Sequence, residues 1–319
     1  MNTEQLIYRA FEKRQYLFKE GLTTCYRLFN MDGDGIRGLT VDRYGEYLLV
    51  QFFSDFRDTL EREIVTSIVS AASIFIDPFR GVLLKNRQKV QGSSDYSTVR
   101  RSVLLEGDMP PKDYHVVQNG VTVSVDLVEG QNTGLFLDMR EVRSDIAHCY
   151  SETRQLLNLF CYTGVFSVHA LKNGATSALN VDLSKTVLNR ARHNYGLNGL
   201  DCDDRNFVRE DALYMIRRLM KKGPCFDFII FDPPTFSRNK KRTFSVKKNY
   251  GSYLDQVDGL IEKGFILTSI NAVSVDRKEY HSCHPPGWEL VNFWNESSDF
   301  PNRGRPYLKS GLWHKRGIA

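Results

Sequence analysis

The chain has few cysteines, and their spacing disfavours two kinds of stabilising site. Its 319 residues include six cysteines, at positions 25, 149, 161, 202, 225 and 283, with no C-x-x-C pair. That scatter is typical of neither a disulfide framework nor a zinc site. His281, Cys283 and His284 are close in sequence but lack a distant partner to complete a ligand set. We therefore predict no metal centre.

Long apolar runs are also missing. No uninterrupted stretch approaches the ~20 apolar residues of a membrane span, and the first ten residues lack the apolar core of a secretory signal. We therefore expect a cytoplasmic protein with no membrane partner. The sequence does not predict an oligomeric state.

The most informative segment present is Asp232-Pro233-Pro234-Thr235, which follows the apolar run 226–231. Such a run predicts a buried parallel strand. Ligands of open α/β sheets bind at the carboxyl ends of the strands, so Asp232 is predicted to face a ligand crevice. The two prolines fix φ and remove two N–H donors, which predicts a stiff turn beside that ligand. The alternative is an ordinary strand followed by a proline-rich turn.

Further strand ends carry glycine or acidic residues. An apolar strand at 155–160 leads through the Cys161–Gly164 turn, which has no G-x-G-x-x-G or P-loop pattern, into a helix at 165–172. The next strand ends in Asp182, where such folds hold ribose hydroxyls. Asp211 follows a third strand and is predicted to cap a helix, to reach an adenine amino group, or both. This succession predicts a doubly wound sheet from about residue 154.

The first third of the chain predicts a smaller α+β domain. A helix at 4–20 is followed by strands at 25–30, 39–41 and 47–53. The polar, proline-containing stretch 91–113 is predicted to be a linker, so the domains are expected to be 1–112 and 113–319.

Several motifs together resemble class I S-adenosylmethionine-dependent methyltransferases, and among them the bacterial large-subunit ribosomal RNA enzymes. The motifs are NLFCYTG at 158–164, VDLS at 181–184, Asn194 before a GLNG turn, DPPTFS at 232–237 and GQNTGLFLDMR at 130–140. The chain is similar to the guanine-N7 half of the fused K/L protein and to the I-type cytosine-C5 enzyme. This resemblance implies a Rossmann-like sheet and S-adenosyl-L-methionine as the cofactor.

The resemblance also implies roles for individual residues. Asp182 would bind ribose, Asp211 would lie near adenine, and Asp232 would contact both the cofactor and the acceptor base. The remaining implied cofactor residues are Phe160, Tyr162, Thr163 and Gly164 at the methionine end, Asn158 in the strand before them, and Thr133, Phe136, Asp138 and Arg140 from the preceding segment. Pro233, Pro234 and Thr235 would face the acceptor base. For Asp138 and Arg140 the alternative is an ordinary helix start with an ion pair.

A missing cysteine favours one reaction over another. Methylation of a pyrimidine at C5 requires a thiolate to add to C6, and the resembling cytosine enzymes carry a cysteine after the strand that follows the DPP strand. Here residues 265–274 contain none, and Cys283 lies about ten residues too far along. A guanine N7 has its own lone pair and requires only positioning. We expect N7-like transfer, with cytosine-C5 transfer, exocyclic-amine transfer, or a cofactor-binding RNA-assembly role with little catalysis as alternatives.

Basic residues follow the DPP turn. The net charge is only +5, but six cations occur after Thr235 without an intervening acid. They are Arg238, Lys240, Lys241, Arg242, Lys247 and Lys248. Such blocks are usually solvated surface, but one that begins at the predicted active-site turn is well placed to neutralise phosphates. We predict an RNA partner, either ribosomal RNA or a ribosomal precursor.

Overall fold

The computed structural model describes residues 1–19, 21–87, 101–223, 225–238 and 243–317. The chain divides into two compact units. The first comprises Met1–Arg140 and Ser297–Gly304, and the second comprises Glu141–Glu296 and Arg305–Ala319. The sequence-based boundary between residues 112 and 113 stays a prediction, whereas these units divide the chain after Arg140. Among the described residues, no helix combines the length and the hydropathy that crossing a bilayer requires.

The first unit is an α+β unit built on a five-stranded sheet. Its helices are α1 (Thr3–Lys13), α2 (Gln15–Lys19), α3 (Met31–Asp34) and α4 (Asp58–Phe75), with a 3₁₀ turn at Leu137–Met139. Its strands are β1 (Cys25–Asn30), β2 (Leu39–Tyr44), β3 (Tyr47–Phe52), β4 (Gly81–Asn86), β5 (Val103–Gly107), β6 (Tyr114–Gln118) and β7 (Val121–Val125). The sheet order is β1-β2-β3-β4-β5, and β6 and β7 form a separate hairpin.

Apolar spacing explains why α1 forms and where it packs. Asn2 accepts a hydrogen bond from the N–H of Gln5 at 2.9 Å and completes a capping box. Ile7, Ala10 and Phe11 recur at helical spacing and are fully or almost fully buried, in the cluster that contains β1–β4 and α4. Burying such a face is the main source of stability of a helix this short.

The predicted linker at 91–113 is wrong in its second part. Val103–Gly107 forms β5, which pairs antiparallel with β4. The polar character that suggested a linker reflects an edge strand, since residues Val103, Glu106 and Gly107 are exposed. A strand at the edge of a sheet has a neighbour on one side only, so its other side stays open. Residues 88–100 of the same stretch lie outside the described ranges.

The second unit contains a seven-stranded sheet with helices along it. Its helices are α5 (Arg140–Asp145), α6 (Val165–Lys172), α7 (Lys185–Leu197), α8 (Ala212–Met220), α9 (Val246–Asp258) and α10 (Arg277–Ser282), with 3₁₀ turns at Ile146–Tyr150 and Asp204–Asn206. Its strands are β8 (Gln155–Leu159), β9 (Ser177–Asp182), β10 (Phe207–Arg209), β11 (Phe226–Phe231), β12 (Phe236–Arg238), β13 (Thr243–Ser245), β14 (Ile261–Asn271), β15 (Trp288–Trp294) and β16 (Leu308–Lys315).

The order of this sheet is that of a doubly wound fold. The strands run β10-β9-β8-β11-β14-β16-β15, and β12 and β13 form a hairpin. The first five are parallel, whereas β16 is antiparallel to both β14 and β15. The central strands are almost entirely apolar because helices cover them. After β8 the chain adds β9 and β10 on one side of this strand, and it then adds β11 and β14 on the other side. Such sheets bind ligands at the point where the strand order switches.

Candidate active site

Parallel pairing brings successive strand ends to one edge of the second unit's sheet. β8 lies between β9 and β11, and in register Leu159 pairs with both Val181 and Phe231. The residues that follow these three positions therefore share the edge. They are the turn that starts at Phe160, then Asp182, and Asp232. These second-unit residues of the predicted site are thus neighbours in the fold.

The turn after β8 has an unusual backbone. Phe160, Tyr162 and Gly164 have φ values of 57°, 51° and 71°. Residues other than glycine rarely adopt positive φ, and such strain concentrates at functional sites. At Gly164 the left-handed conformation is matched by close packing, because a Cβ there would lie 3.0 Å from the Cβ of Ala191.

Backbone and side-chain hydrogen bonds hold this turn. The N–H of Cys161 donates to the carbonyl of Val181 at 3.0 Å. The buried Asn194 donates from Nδ2 to the carbonyl of Thr163 at 2.9 Å. Asn194 appeared in the sequence only as part of a motif, and its role is to fix the turn from α7. The signal in the sequence was an amide at helical spacing from the apolar residues Leu188 and Ala191.

Asp182 is the acid best placed to bind hydroxyl groups. Its Oδ2 accepts the N–H of Tyr162 at 3.1 Å, and its Oδ1 accepts the N–H of Ser184 at 2.9 Å. Burial raises the pKa of this carboxyl, while backbone N–H groups that bond to it act in the opposite direction. Each carboxylate oxygen has two lone pairs, so both oxygens can accept a further hydrogen bond. This acceptor set fits the ribose hydroxyls of an adenosine-containing cofactor.

Asp211 caps a helix, as one of its two predicted roles required. Its Oδ1 accepts the N–H of Tyr214 at 3.0 Å at the start of α8. The neighbouring Glu210 N–H donates to the carbonyl of Asp182 at 3.1 Å, which ties the loop after β10 to the tip of β9. The cap orients the carboxylate, and the predicted adenine contact stays a prediction.

Asn158 lies within β8, before the turn that starts at Phe160. It is 2% exposed within β8, and its Nδ2 donates to Oγ of Ser167 at 2.9 Å. The side chain therefore joins β8 to α6 at the point where the turn connects them. Its predicted cofactor contact stays a prediction.

The turn at Asp232–Thr235 follows β11, and we call it the acceptor turn because it is predicted to face the acceptor base. Asp232 is half-buried, Pro233 is buried, and Pro234 and Thr235 are exposed. The Thr235 hydroxyl donates to the carbonyl of Asn271, the last residue of β14. One end of the turn is thereby attached to the neighbouring strand.

A buried lysine holds the loop that anchors this turn. Lys309 of β16 is 4% exposed, and its Nζ donates to the carbonyls of Ala272 at 2.7 Å, Pro306 at 2.6 Å and Tyr307 at 3.5 Å. Burial lowers the pKa of this ammonium. Ala272 directly follows the residue that accepts from Thr235. Sequence reasoning missed Lys309, whose neighbours in the chain are the apolar Leu308 and the polar Ser310.

Thr268 of β14 belongs to a buried cluster of polar and aromatic side chains. Thr268 Oγ1 lies 2.8 Å from Nε2 of His284 and accepts from Nε1 of Trp313 at 3.0 Å. Nδ1 of His284 lies 2.8 Å from the carbonyl of Tyr280, so it donates there and Nε2 accepts from Thr268. Burial lowers the pKa of His284 to about 3, and the ring is neutral. Both ring nitrogens are occupied, which removes His284 as a metal ligand.

Cys283 has none of the features of an activated nucleophile. Burial raises the pKa of its thiol, and the charge of Glu279 adds to that effect. Its Sγ donates to the carbonyl of Glu279 at 3.2 Å. Reactive thiols have lowered pKa values and lie beside positive charge. This thiol is therefore poorly suited to covalent catalysis.

The segment predicted to close over the cofactor belongs to the first unit. Oγ1 of Thr133 lies 3.0 Å from the hydroxyl of Tyr44, and Phe136 is 44% exposed. The carbonyl of Asp138 accepts the N–H of Ser297 at 3.0 Å. These contacts place the segment firmly within its own unit.

Arg140 forms the ion pair that was its alternative interpretation. Its Nη2 lies 3.0 Å from Oδ1 of Asp299, and both residues are buried. Asp299 also accepts the N–H of Arg27 at 2.8 Å through Oδ2. No local pattern signalled that Asp299 would be this shared acceptor, because it is about 160 residues from Arg140.

The predicted nucleic-acid residues are only partly described. Arg238 ends β12, and Lys247 is exposed in the first turn of α9, the helix that also contains Lys248. Lys240, Lys241 and Arg242 lie outside the described residues. The β12–β13 hairpin pairs Phe236 with Ser245, so the basic segment starts directly beyond the acceptor turn.

A mostly parallel sheet with acids at successive strand tips defines an α/β protein that binds a nucleotide-like cofactor at its carboxyl edge. Sequence comparison specifies the class further. The chain belongs to the S-adenosylmethionine-dependent methyltransferase family, whose profile matches residues 36–304.

Individual relatives agree with this assignment. Ribosomal RNA large subunit methyltransferase I of Aeromonas salmonicida (strain A449) is 34% identical over 244 residues, covering 76% of this chain and 59% of that protein. YwbD of Bacillus subtilis (strain 168), named as a candidate ribosomal RNA large subunit methyltransferase, is 34% identical over 281 residues, covering 85% and 67%. The crystal structure of SMU.776 complexed with SAH has 30% identity and a TM-score of 0.86, covering 98% of this chain and 80% of that one.

Family membership confirms the predicted family, the Rossmann-like fold class and S-adenosylmethionine as the cofactor. This chain spans 59% of the length of the Aeromonas relative. The roles of individual site residues stay predictions.

Proposed function

We propose that this chain is an S-adenosylmethionine-dependent RNA methyltransferase that acts on large-subunit ribosomal RNA. The names of the Aeromonas and Bacillus relatives support this substrate. We further propose that it methylates a base nitrogen, in the manner of guanine N7, without a covalent enzyme intermediate. The cytoplasmic location and the ribosomal partner are part of this proposal.

The observation that carries the choice of chemistry is the composition of the strand beside the acceptor turn. β14 pairs with β11 so that Thr268 lies opposite Phe231. No cysteine occurs in β14 or in residues 272–276, all of which are described. Cys283 lies in the loop after α10, and its raised pKa opposes thiolate formation. A mechanism that requires no nucleophile from the enzyme is therefore favoured.

S-adenosylmethionine, held by the turn after β8 and by Asp182, would supply an electrophilic methyl group on a positively charged sulfur. A guanine N7 lone pair would form the new N–CH₃ bond while the S–CH₃ bond broke, and the positive charge would pass to the base. Since no proton leaves, the residues at the edge do not have to act as a base. Their task is to align the reacting atoms and exclude water.

Asp232 has the position for that task. Its half-buried carboxylate at the tip of β11 is a suitable acceptor for N–H groups on the base edge. The buried Pro233 and the Thr235 hydrogen bond to Asn271 keep the turn from shifting. A target base within a helix has to leave its stack to reach this turn.

The test is methyl transfer from labelled S-adenosylmethionine to unmodified large-subunit RNA. We expect Asp232→Asn to lower kcat by about 10²-fold or more, which is typical for loss of a positioning contact. Asp255→Asn, at an exposed position on α9 of the same unit, is the matched control and should retain parental activity. Transfer that is independent of Asp232, or label that never enters RNA, contradicts the proposal.

Cys283→Ala separates the two chemistries. Full activity is expected, because the thiol has no role in N7 transfer. Loss of activity with retained cofactor binding would instead support cytosine-C5 methylation, in which a thiolate is indispensable.

A further inference from the structure

The carboxyl end of α8 carries a concentration of positive charge far from the Asp232 turn in sequence. Arg217, Arg218, Lys221 and Lys222 are all exposed. The other face of the helix is buried in the core of the second unit through Leu213, Ile216 and Leu219. We name these four cations the α8 basic surface.

These four cations have no acidic partner among the described residues, unlike several arginines of the same unit. Arg192, Arg205 and Arg316 form ion pairs with Asp204, Asp203 and Glu289. Within the part of the chain that the structure describes, Arg218, Lys221 and Lys222 form no ion pair and their side chains donate no hydrogen bond, while Arg217 donates only to Gln256 at 3.4 Å. No acid occurs between residues 212 and 226.

Helix stability does not explain this arrangement. The dipole at a helix carboxyl end corresponds to about half a negative charge, whereas the α8 basic surface carries four positive charges. Arg217 and Lys221 are four residues apart, and like charges at that spacing destabilise a helix by about 0.2–0.5 kcal/mol. Uncompensated charge of this kind points to an anionic partner.

The α8 basic surface lies near the carboxyl end of α9. Arg217 contacts Gln256 near the end of α9, and α8 and α9 share one core cluster. Lys247 is exposed in the first turn of α9. Since α9 has 13 residues, its ends are about 20 Å apart. Cations therefore occur near both ends of α9.

We propose that the α8 basic surface binds phosphate groups of the RNA substrate, about 20 Å from the end of α9 that carries Lys247. This inference rests on the proposed RNA substrate and adds a second contact region to it. RNA presents phosphates over that distance on one side of a helix or loop. Lysine and arginine bind them without regard to sequence, so this surface adds affinity and register rather than base selectivity.

The test is the salt dependence of binding to a large-subunit RNA fragment. In one variant, all four cations of the surface are replaced by glutamine. In the matched control, four exposed or ion-paired cations of the same unit are replaced instead: Lys172, Arg192, Arg205 and Arg316. Cofactor affinity, measured in parallel, reports whether each variant is folded.

We expect the slope of log Kobs against log salt to become shallower by about 3 in the α8 variant, since each phosphate contact contributes roughly 0.7–0.9. The control should keep the parental slope. Methylation of a short RNA that contains only the target loop should be unchanged. An α8 variant with the parental slope overturns this inference alone, whereas a parental protein that binds no RNA overturns the proposed function as well.

Discussion

Replacing Lys309 by methionine should impair methyl transfer while leaving cofactor binding intact. The Lys309 ammonium donates to the carbonyl of Ala272, which follows the residue that accepts from Thr235, and to the carbonyls of Pro306 and Tyr307, which precede β16. Methionine fills similar volume but donates nothing, so the Ala272 and Pro306 carbonyls would have no charged donor. None of these groups lies at the tips of β8 or β9, where several of the predicted cofactor residues are.

The magnitude follows from the hydrogen bonds that the substitution removes. Hydrogen bonds to a charged group contribute about 1.5–3 kcal/mol each. Two short ones disappear in Lys309→Met, so the second unit should be destabilised by about 3–6 kcal/mol. A displacement of the acceptor turn by about 1 Å lowers the rate of the chemical step by about 10²-fold. We therefore expect kcat to fall 10- to 100-fold, with the Kd for S-adenosylmethionine changed by no more than about twofold.

Lys315→Met is the matched control for this experiment. Lys315 lies in the same strand, and its Nζ is 2.7 Å from Oδ1 of Asp258 and 2.8 Å from its carbonyl. Its replacement should cost similar stability without changing kcat. Single-turnover methyl transfer and cofactor titration measure the two quantities. A Lys309→Met protein with parental kcat, or one whose only defect is cofactor affinity, would refute the positioning role.

Three further predictions concern other parts of the molecule. Gly164→Ala should weaken cofactor binding roughly 5- to 30-fold, because a left-handed residue costs about 1–2 kcal/mol and its Cβ crowds Ala191; titration with S-adenosylmethionine measures this. Burial, with the charge of Arg87, lowers the pKa of Lys85 to about 8. Between pH 8 and 10 this lysine is therefore protonated in the unfolded chain and largely neutral in the folded protein. The free energy of unfolding of the parental protein should rise over this range relative to that of Lys85→Met, as measured by denaturant titration. Burial lowers the pKa of His284 to about 3. Between pH 3 and 6.5 this histidine is therefore neutral in the folded protein and protonated in the unfolded chain. Stability should therefore fall as the pH drops from 6.5 towards 3, and a similar fall in His284→Leu would refute this assignment.

The strand tips of the site were predictable because their signals are local. A run such as 226–231 followed by Asp232 and two prolines specifies both the strand and its end. Parallel pairing then brings Asp182 and Asp232 to one edge without any further information. The same holds for α6, which begins directly after Gly164 as predicted.

The groups that support the site were not predictable, because their partners are distant in sequence. Lys309 donates to Ala272, 37 residues away, and the pairing of β16 with β14 decides that contact. Arg140 and Asp299 are separated further still. Polar composition also misled at β5, where an exposed edge strand resembles a linker.

The identity of the methylated nucleoside is the most direct test of the central claim. Large-subunit RNA methylated with labelled S-adenosylmethionine would be digested to nucleosides and analysed by mass spectrometry. Labelled 7-methylguanosine, formed equally by the parental protein and by Cys283→Ala, is the result that direct transfer to a base nitrogen predicts. Labelled 5-methylcytidine that disappears in Cys283→Ala would contradict it.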